Sequence, residues 1–143
     1  MKQCLVDVNV LLALLVQQHV HHRAARNWFD RLHTGEAGVC RMVQLSVIRL
    51  LGNRAVMAKN PLPASAAWRV FAELLKDERL EFLPEPVSLD DFLPKFFRYP
   101  MPTANLIADA YLAAFAVAAS RRLATFDRGF RQFDELEVDL LPG

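Results

Sequence analysis

Long apolar runs, abundant cysteine and a strong net charge are all missing from this chain, and each absence removes a class of protein. Uninterrupted apolar stretches such as Val10 to Val16 fall far short of the ~20 residues that a membrane-spanning helix requires. Met1-Lys2-Gln3 leads at once into a strand-like segment, with none of the charged, apolar and cleavage regions of a signal peptide, so the expected compartment is the cytoplasm. Only two cysteines occur, Cys4 and Cys40, without CxxC spacing and in segments that read as buried strands. That argues against a disulfide framework or a thiolate metal site and for two small buried hydrophobes. The net charge of +1 provides no global attraction for a polyanion, so any grip on nucleic acid must be local. Glycine is scarce at five residues, and there is no low-complexity tract, internal repeat or linker.

What is present is apolar and evenly spread. At 143 residues the chain fits a single domain over 1–143, and its 53% apolar content leaves a surplus that a subunit interface would absorb. Gln3 to Val6 reads as a strand running through Asp7-Val8-Asn9 into a leucine-rich helix. Ala25, Trp28, Phe29 and Leu32 recur at helical spacing between His21 and His33. Gly35 and Gly38 are expected to bracket a turn, followed by a strand over 38–43 and a helix over 44–53. Beyond Pro61 and Pro63, the positions Ala67, Val70, Phe71, Leu74 and Leu75 form an amphipathic helical stripe. Strands are expected at 80–83, 123–126 and 138–141. Ser88 is placed to cap a helix with Asp90 and Asp91 in its first turn, and Thr103 to cap a long alanine-rich helix through Ala119. Strands alternating with helices predict an α/β fold, three layers deep, with a central, largely parallel sheet flanked by helices.

In such sheets ligands gather beyond the carboxyl ends of the strands. Asp7 and Asp127 each stand at such an end, and Asp109 stands among small apolar residues inside the alanine-rich helix, where a carboxylate calls for an explanation. If the first strand and the one at 123–126 are neighbours, three carboxylates meet in one crevice and would take up protons or a cation. Oxygen-only ligands suit Mg²⁺ or Mn²⁺, which activate water and polarise phosphoryl oxygens. Each acid also has a structural alternative: Asp7 as a helix cap, Asp127 as a turn former before Gly129, Asp109 as a surface charge. These features leave the reaction undetermined.

Three blocks narrow it. Leu5-Val6-Asp7-Val8-Asn9-Val10-Leu11, Ala108-Asp109-Ala110-Tyr111-Leu112-Ala113-Ala114 and Leu123-Ala124-Thr125-Phe126-Asp127-Arg128-Gly129-Phe130 resemble, in order and spacing over essentially the whole chain, the PIN-domain toxins of the VapC family. The stretch from His19 to Phe29 resembles one branch of that family. The resemblance implies a PIN-like fold and a cytoplasmic, Mg²⁺-dependent endoribonuclease acting on RNA. It also implies a homodimer held in check by a small antitoxin protein. Asp7 and Asp109 would be the principal metal ligands, Asp127 would complete the site directly or through water, and Asn9 and Thr125 would orient the carboxylates.

One departure stands out. The family generally carries an acid in the helix after the second strand, whereas no Asp or Glu occurs between Glu36 and Glu73. In that segment Gln44 offers a neutral oxygen for a metal or its water, and Arg49 a cation for phosphate or for an acid of the site. Arg121, Arg122, Arg128 and Arg131 surround Asp127 in sequence, with Phe126, Phe130 and Phe133 interleaved. The arginines suit either RNA phosphate or solvent, and the phenylalanines read as core. His19 and His22 have a spacing that could bind one ion, although helix-start packing is the simpler role for the histidines.

Rival readings fare less well. A phosphoacceptor receiver would want paired early acids and a late-strand lysine, but the lysines are Lys2, Lys59, Lys76 and Lys95. A haloacid-dehalogenase-type phosphatase would want Asp-x-Asp where this chain has Asp7-Val8-Asn9. The serious alternative is a PIN fold with an incomplete acid set, weak or inactive as an enzyme, that binds RNA or protein.

Overall fold

A computed structural model describes residues 2–100 and 105–143. Five strands, β1 (Cys4–Val6), β2 (Ala37–Val39), β3 (Leu80–Phe82), β4 (Arg122–Thr125) and β5 (Val138–Leu140), form one sheet in the order β3-β2-β1-β4-β5. Every pairing is parallel. The described helices are α1 (Val8–Leu15), α2 (His22–Asp30), α3 (Arg41–Leu51), α4 (Arg54–Met57), α5 (Ala64–Leu74), α6 (Leu89–Phe96) and α7 (Asn105–Ala118), with a 3₁₀ turn at Arg128–Gln132. Thr103, expected to cap the long helix, lies outside the described residues.

The central strand is buried on both faces, which is why Cys4, Leu5 and Val6 are all apolar. Helix α1 is apolar nearly all round, with Val10 to Leu14 buried, because it passes through the interior rather than over it. The alanines of α7 let its backbone approach its neighbours closely, and Ala110, Ala113, Ala114 and Ala116 are completely buried. Cys4 and Cys40 are buried free thiols, and burial pushes the Cys4 thiol up to about 12. Among the described residues no helix is long and apolar enough to cross a membrane.

Two local expectations need correction. The strand expected over 38–43 is β2, only Ala37–Val39, and the following helix starts at Arg41 rather than Gln44. Cys40, in extended conformation, is the junction. Val43, Val47 and Leu51 are buried at i, i+4, i+8, so the helical period was already running through residues whose β-branching suggests a strand. Gly38 is therefore inside a strand and not in a turn. A Cβ there would overlap Leu83 and stand 2.9 Å from Arg121 Nη1. Gly35 does turn the chain, at φ 68°. Ser88 holds the N-cap position of α6 but its side chain makes no capping bond, and Asp90 and Asp91 occupy the first turn.

Candidate active site

The chain leaves β1 towards β2 on one side and returns through β4 on the other, so the crevice of this sheet opens between the carboxyl ends of β1 and β4. Leu5 pairs with Leu123 and Val6 with Ala124, and the Asp7 N–H continues the ladder to Ala124 O at 3.0 Å. That register brings Asp7 beside Thr125. The Thr125 hydroxyl donates to Asp7 Oδ2 at 2.6 Å, and the Val8 N–H donates to Asp7 Oδ1 at 2.7 Å. Both carboxylate oxygens are thereby fixed, and the residue is 7% exposed. Asp7 is thus a helix cap and a crevice acid at once.

Asp127 is held next to it by the same hydroxyl. Its N–H donates to Thr125 Oγ1 at 3.0 Å, while its Oδ1 accepts from the Gly129 N–H at 2.8 Å and shapes the 3₁₀ turn. Asp127 is exposed, so its carboxylate faces solvent at the rim. Asn9, in the first turn of α1, accepts the Phe126 N–H through Oδ1 at 3.4 Å and ties α1 to the loop that carries Asp127.

Asp109 enters from α7, half-buried. Burial, then the charges of Asp7 and Asp127, push its carboxyl up to about 6. Burial likewise raises Asp7, with the bonds from Thr125 and Val8 opposing and the charge of Asp127 adding to the rise. The three acids therefore act on one another electrostatically across one crevice. Among the described residues, however, no three His, Cys, Asp or Glu side chains lie close enough to ligate a single ion together.

The PIN-domain profile matches residues 4–136, nearly the whole chain. The chain is similar to ribonuclease VapC41 of Mycobacterium tuberculosis, with 39% identity over 142 residues covering 96% of this chain and 97% of the relative. The chain belongs to the PIN-domain family, in its VapC branch. The VapC20 structure from Mycobacterium tuberculosis, described as a sarcin-ricin loop cleaving toxin, shares the fold with a TM-score of 0.70 at 15% identity, over 98% of this chain and 100% of that one. A toxin-antitoxin complex from Klebsiella pneumoniae matches with a TM-score of 0.64 at 15% identity, over 94% and 95% of the two chains.

The remaining residues singled out in the sequence of this PIN domain are placed unevenly. Gln44 is buried, and its Oε1 accepts from Arg41 Nη1 at 2.6 Å. Arg49, expected to bind phosphate or pair with an acid of the site, is exposed in the last turn of α3, about 12 Å along the helix from Arg41, and forms no ion pair among the described residues. Arg128 and Arg131 are exposed beside Asp127.

Arg121 and Arg122 serve neither RNA nor solvent. They lie at the start of β4, the opposite end from Asp127, and hold the sheet together there. Arg121 is 8% exposed, donates to Cys4 O at 3.0 Å and pairs with Glu81 at 3.4 Å. Arg122 pairs with Glu36 at 3.5 Å and with Asp139 at 3.8 Å. Phe130 and Phe133 are core, as expected, while Phe126 is half-buried and stacks on His21 with ring centres 4.7 Å apart. His22 Nδ1 meets Ala13 O at 2.8 Å, and His19 Nδ1 accepts the His21 N–H at 3.1 Å. These are packing roles.

Glu85 accepts a hydrogen bond from Tyr111 beyond the end of β3. Tyr111 lies two residues after Asp109 inside a recognised block, but nothing in the sequence marks residue 85 as its partner.

Proposed function

We propose that this PIN domain is a metal-dependent endoribonuclease that hydrolyses RNA phosphodiester bonds as the toxin of a toxin-antitoxin pair. The observation that carries the reading is the fixed Asp7 carboxylate. It is buried at the switch point of the sheet, held on both oxygens, and raised in pKa together with Asp109. Confining acids at a crevice costs free energy that a cation offsets, and the donor set is oxygen only, which suits Mg²⁺ or Mn²⁺.

Mg²⁺ keeps several waters and takes one or two carboxylates directly. The lack of a closed three-ligand set among the described residues is therefore compatible with Asp7 and Asp109 holding it and Asp127 completing the site through water. When bound, the ion would supply an activated water and polarise a phosphoryl oxygen.

The protein's own share is positioning. Thr125 holds the Asp7 carboxylate and the Asp127 backbone with one hydroxyl, Asn9 holds the intervening loop, and Arg128 at the rim offers a cation to a phosphate.

The name of the 39% identical relative supports RNA as substrate, and the description of the Klebsiella pneumoniae complex supports an antitoxin partner. Such a partner would fill the acidic crevice with a short segment, offering an arginine to the carboxylates. Trp68, Phe97 and Ile107 are large apolar side chains with 45–51% exposure, and they supply the apolar surface for a homodimer. The compartment this function requires is the cytoplasm.

A catalytically weak, RNA- or protein-binding module is the second reading. It is favoured by the acid-free α3, whose buried Gln44 is already engaged by Arg41. Cleavage of structured RNAs by the purified chain and by Asp7→Ala, with Mg²⁺ or Mn²⁺ and with EDTA, separates the two. Metal-dependent cleavage lost in the variant is expected, and equal residual cleavage by both proteins would overturn the enzyme reading.

A further inference from the structure

The carboxyl ends of β1, β2 and β3 form a row. Leu5 pairs with Gly38, so Cys40 stands level with Asp7. Val39 pairs with Phe82, and the Leu83 N–H donates to Val39 O at 2.8 Å. Neighbouring strands lie about 4.8 Å apart, which puts the end of β3 about 10 Å from Asp7. That is within reach of a nucleotide flanking a phosphate held at Asp7.

A groove of about 570 Å³ opens at this place, between the end of β3, the start of α3 and α7. Its wall is apolar, with Met42, Leu45 and Phe82, and its polar groups are Arg41, Glu85 and Tyr111. The Arg41 guanidinium lies 4.7 Å from the centre of the Phe82 ring and is braced by Gln44, making a flat cationic surface. The Tyr111 hydroxyl donates to one oxygen of the exposed Glu85 carboxylate and so holds it, while its other oxygen has no partner among the described hydrogen bonds. Apolar walls with a few converging polar groups are the usual makeup of a ligand pocket, and flat aromatic or guanidinium surfaces are what unstacked bases settle on.

From this geometry we infer that the groove is a base-binding subsite for a guanine of single-stranded RNA next to the phosphate to be cut. The inference rests on the ribonuclease reading above. The base stacks against the Phe82–Arg41 wall, covered from outside by Leu45. The Glu85 carboxylate accepts from N1–H and N2–H of guanine, which alone among the four bases presents two adjacent donors on its pairing edge. Tyr111 acts as a positioning residue, keeping the carboxylate at the rim. Proximity to Asp7, about 10 Å away across the strand ends, with the held carboxylate and the cation in the same groove, singles out a nucleotide base over an apolar partner.

The test is equilibrium binding by fluorescence anisotropy with the full chain in Ca²⁺. The probes are uridine hexamers carrying one central guanine, adenine, cytosine or abasic site. Guanine is expected to bind about tenfold or more tighter than the abasic probe, as for a good bidentate contact. Glu85→Gln, on the surface and isosteric, is expected to abolish that preference, and Tyr111→Phe to reduce it. No preference for guanine in the wild type, no binding at all, or full preference retained in Glu85→Gln would each overturn the subsite. Binding needs no turnover, so failure of the ribonuclease reading would be seen separately, as cleavage unaffected by Asp7→Ala.

Discussion

Thr125 and Asp7 are 118 residues apart in sequence and joined by a 2.6 Å hydrogen bond between two side chains at the carboxyl ends of adjacent parallel strands. The same hydroxyl accepts the Asp127 N–H, so a single oxygen links two acids of the crevice. Replacing Thr125 with Val removes that link and leaves the buried Asp7 Oδ2 unsatisfied. A loss of ~1–3 kcal/mol in stability is expected. RNA cleavage should fall about tenfold to a hundredfold, the range typical for residues that orient metal ligands. Thr125→Ser should keep most of both. Urea melts and cleavage rates read the two effects, and a Val variant cleaving as fast as the wild type would refute the positioning role.

The Asp109 carboxyl is raised to about 6 by burial and by its two acidic neighbours, against about 3.9 in an unfolded chain. A folded-state pKa above the unfolded one means that the native state binds the proton more tightly. Its contribution to stability is fully present below about pH 4 and is lost as pH rises through about 6. Asp109→Asn should therefore be more stable than the wild type at pH 7.5 in EDTA, by about 1 kcal/mol after allowance for solvent screening. The difference should shrink towards pH 4. Thermal melts across this range provide the check, and an Asn variant less stable at pH 7.5 would contradict it.

Gly38 allows Leu83 and Arg121 to cover β2. Gly38→Ala pushes a methyl into both, and overpacking of this kind costs about 1–3 kcal/mol. A wild-type urea midpoint in the variant would show that Leu83 can move aside.

Both thiols are buried and raised in pKa, Cys4 to about 12. At pH 8 a disulfide reagent should titrate neither in the native protein and both after denaturation. Fast labelling of the native chain would indicate an opening of the sheet at β1.

Much of the site was legible locally. The strand, acid and helix succession around Asp7 is visible because an apolar run, a capping aspartate and a leucine series follow one another directly. Asp127 with Gly129 signals a turn in the same way. The buried run around Val43 was not legible as helix, since three-residue strands and buried helices look alike over short distances. The arginines mislead for a geometric reason. Arg121 and Arg122 are close to Asp127 in sequence, but β4 carries the chain about 13 Å from one end of the sheet to the other between them.

The sequence by itself determined the alternation of strands and helices, the apolar core and the three acids at positions that apolar packing does not explain, because these follow from side-chain chemistry within a few residues. Only the tertiary structure decided that β4 lies beside β1, so that Thr125 reaches Asp7, that Arg49 pairs with none of the acids among the described residues, and that Glu85 and Tyr111 meet at the end of β3. Strand order and register are set by packing between distant segments, and no local pattern encodes them.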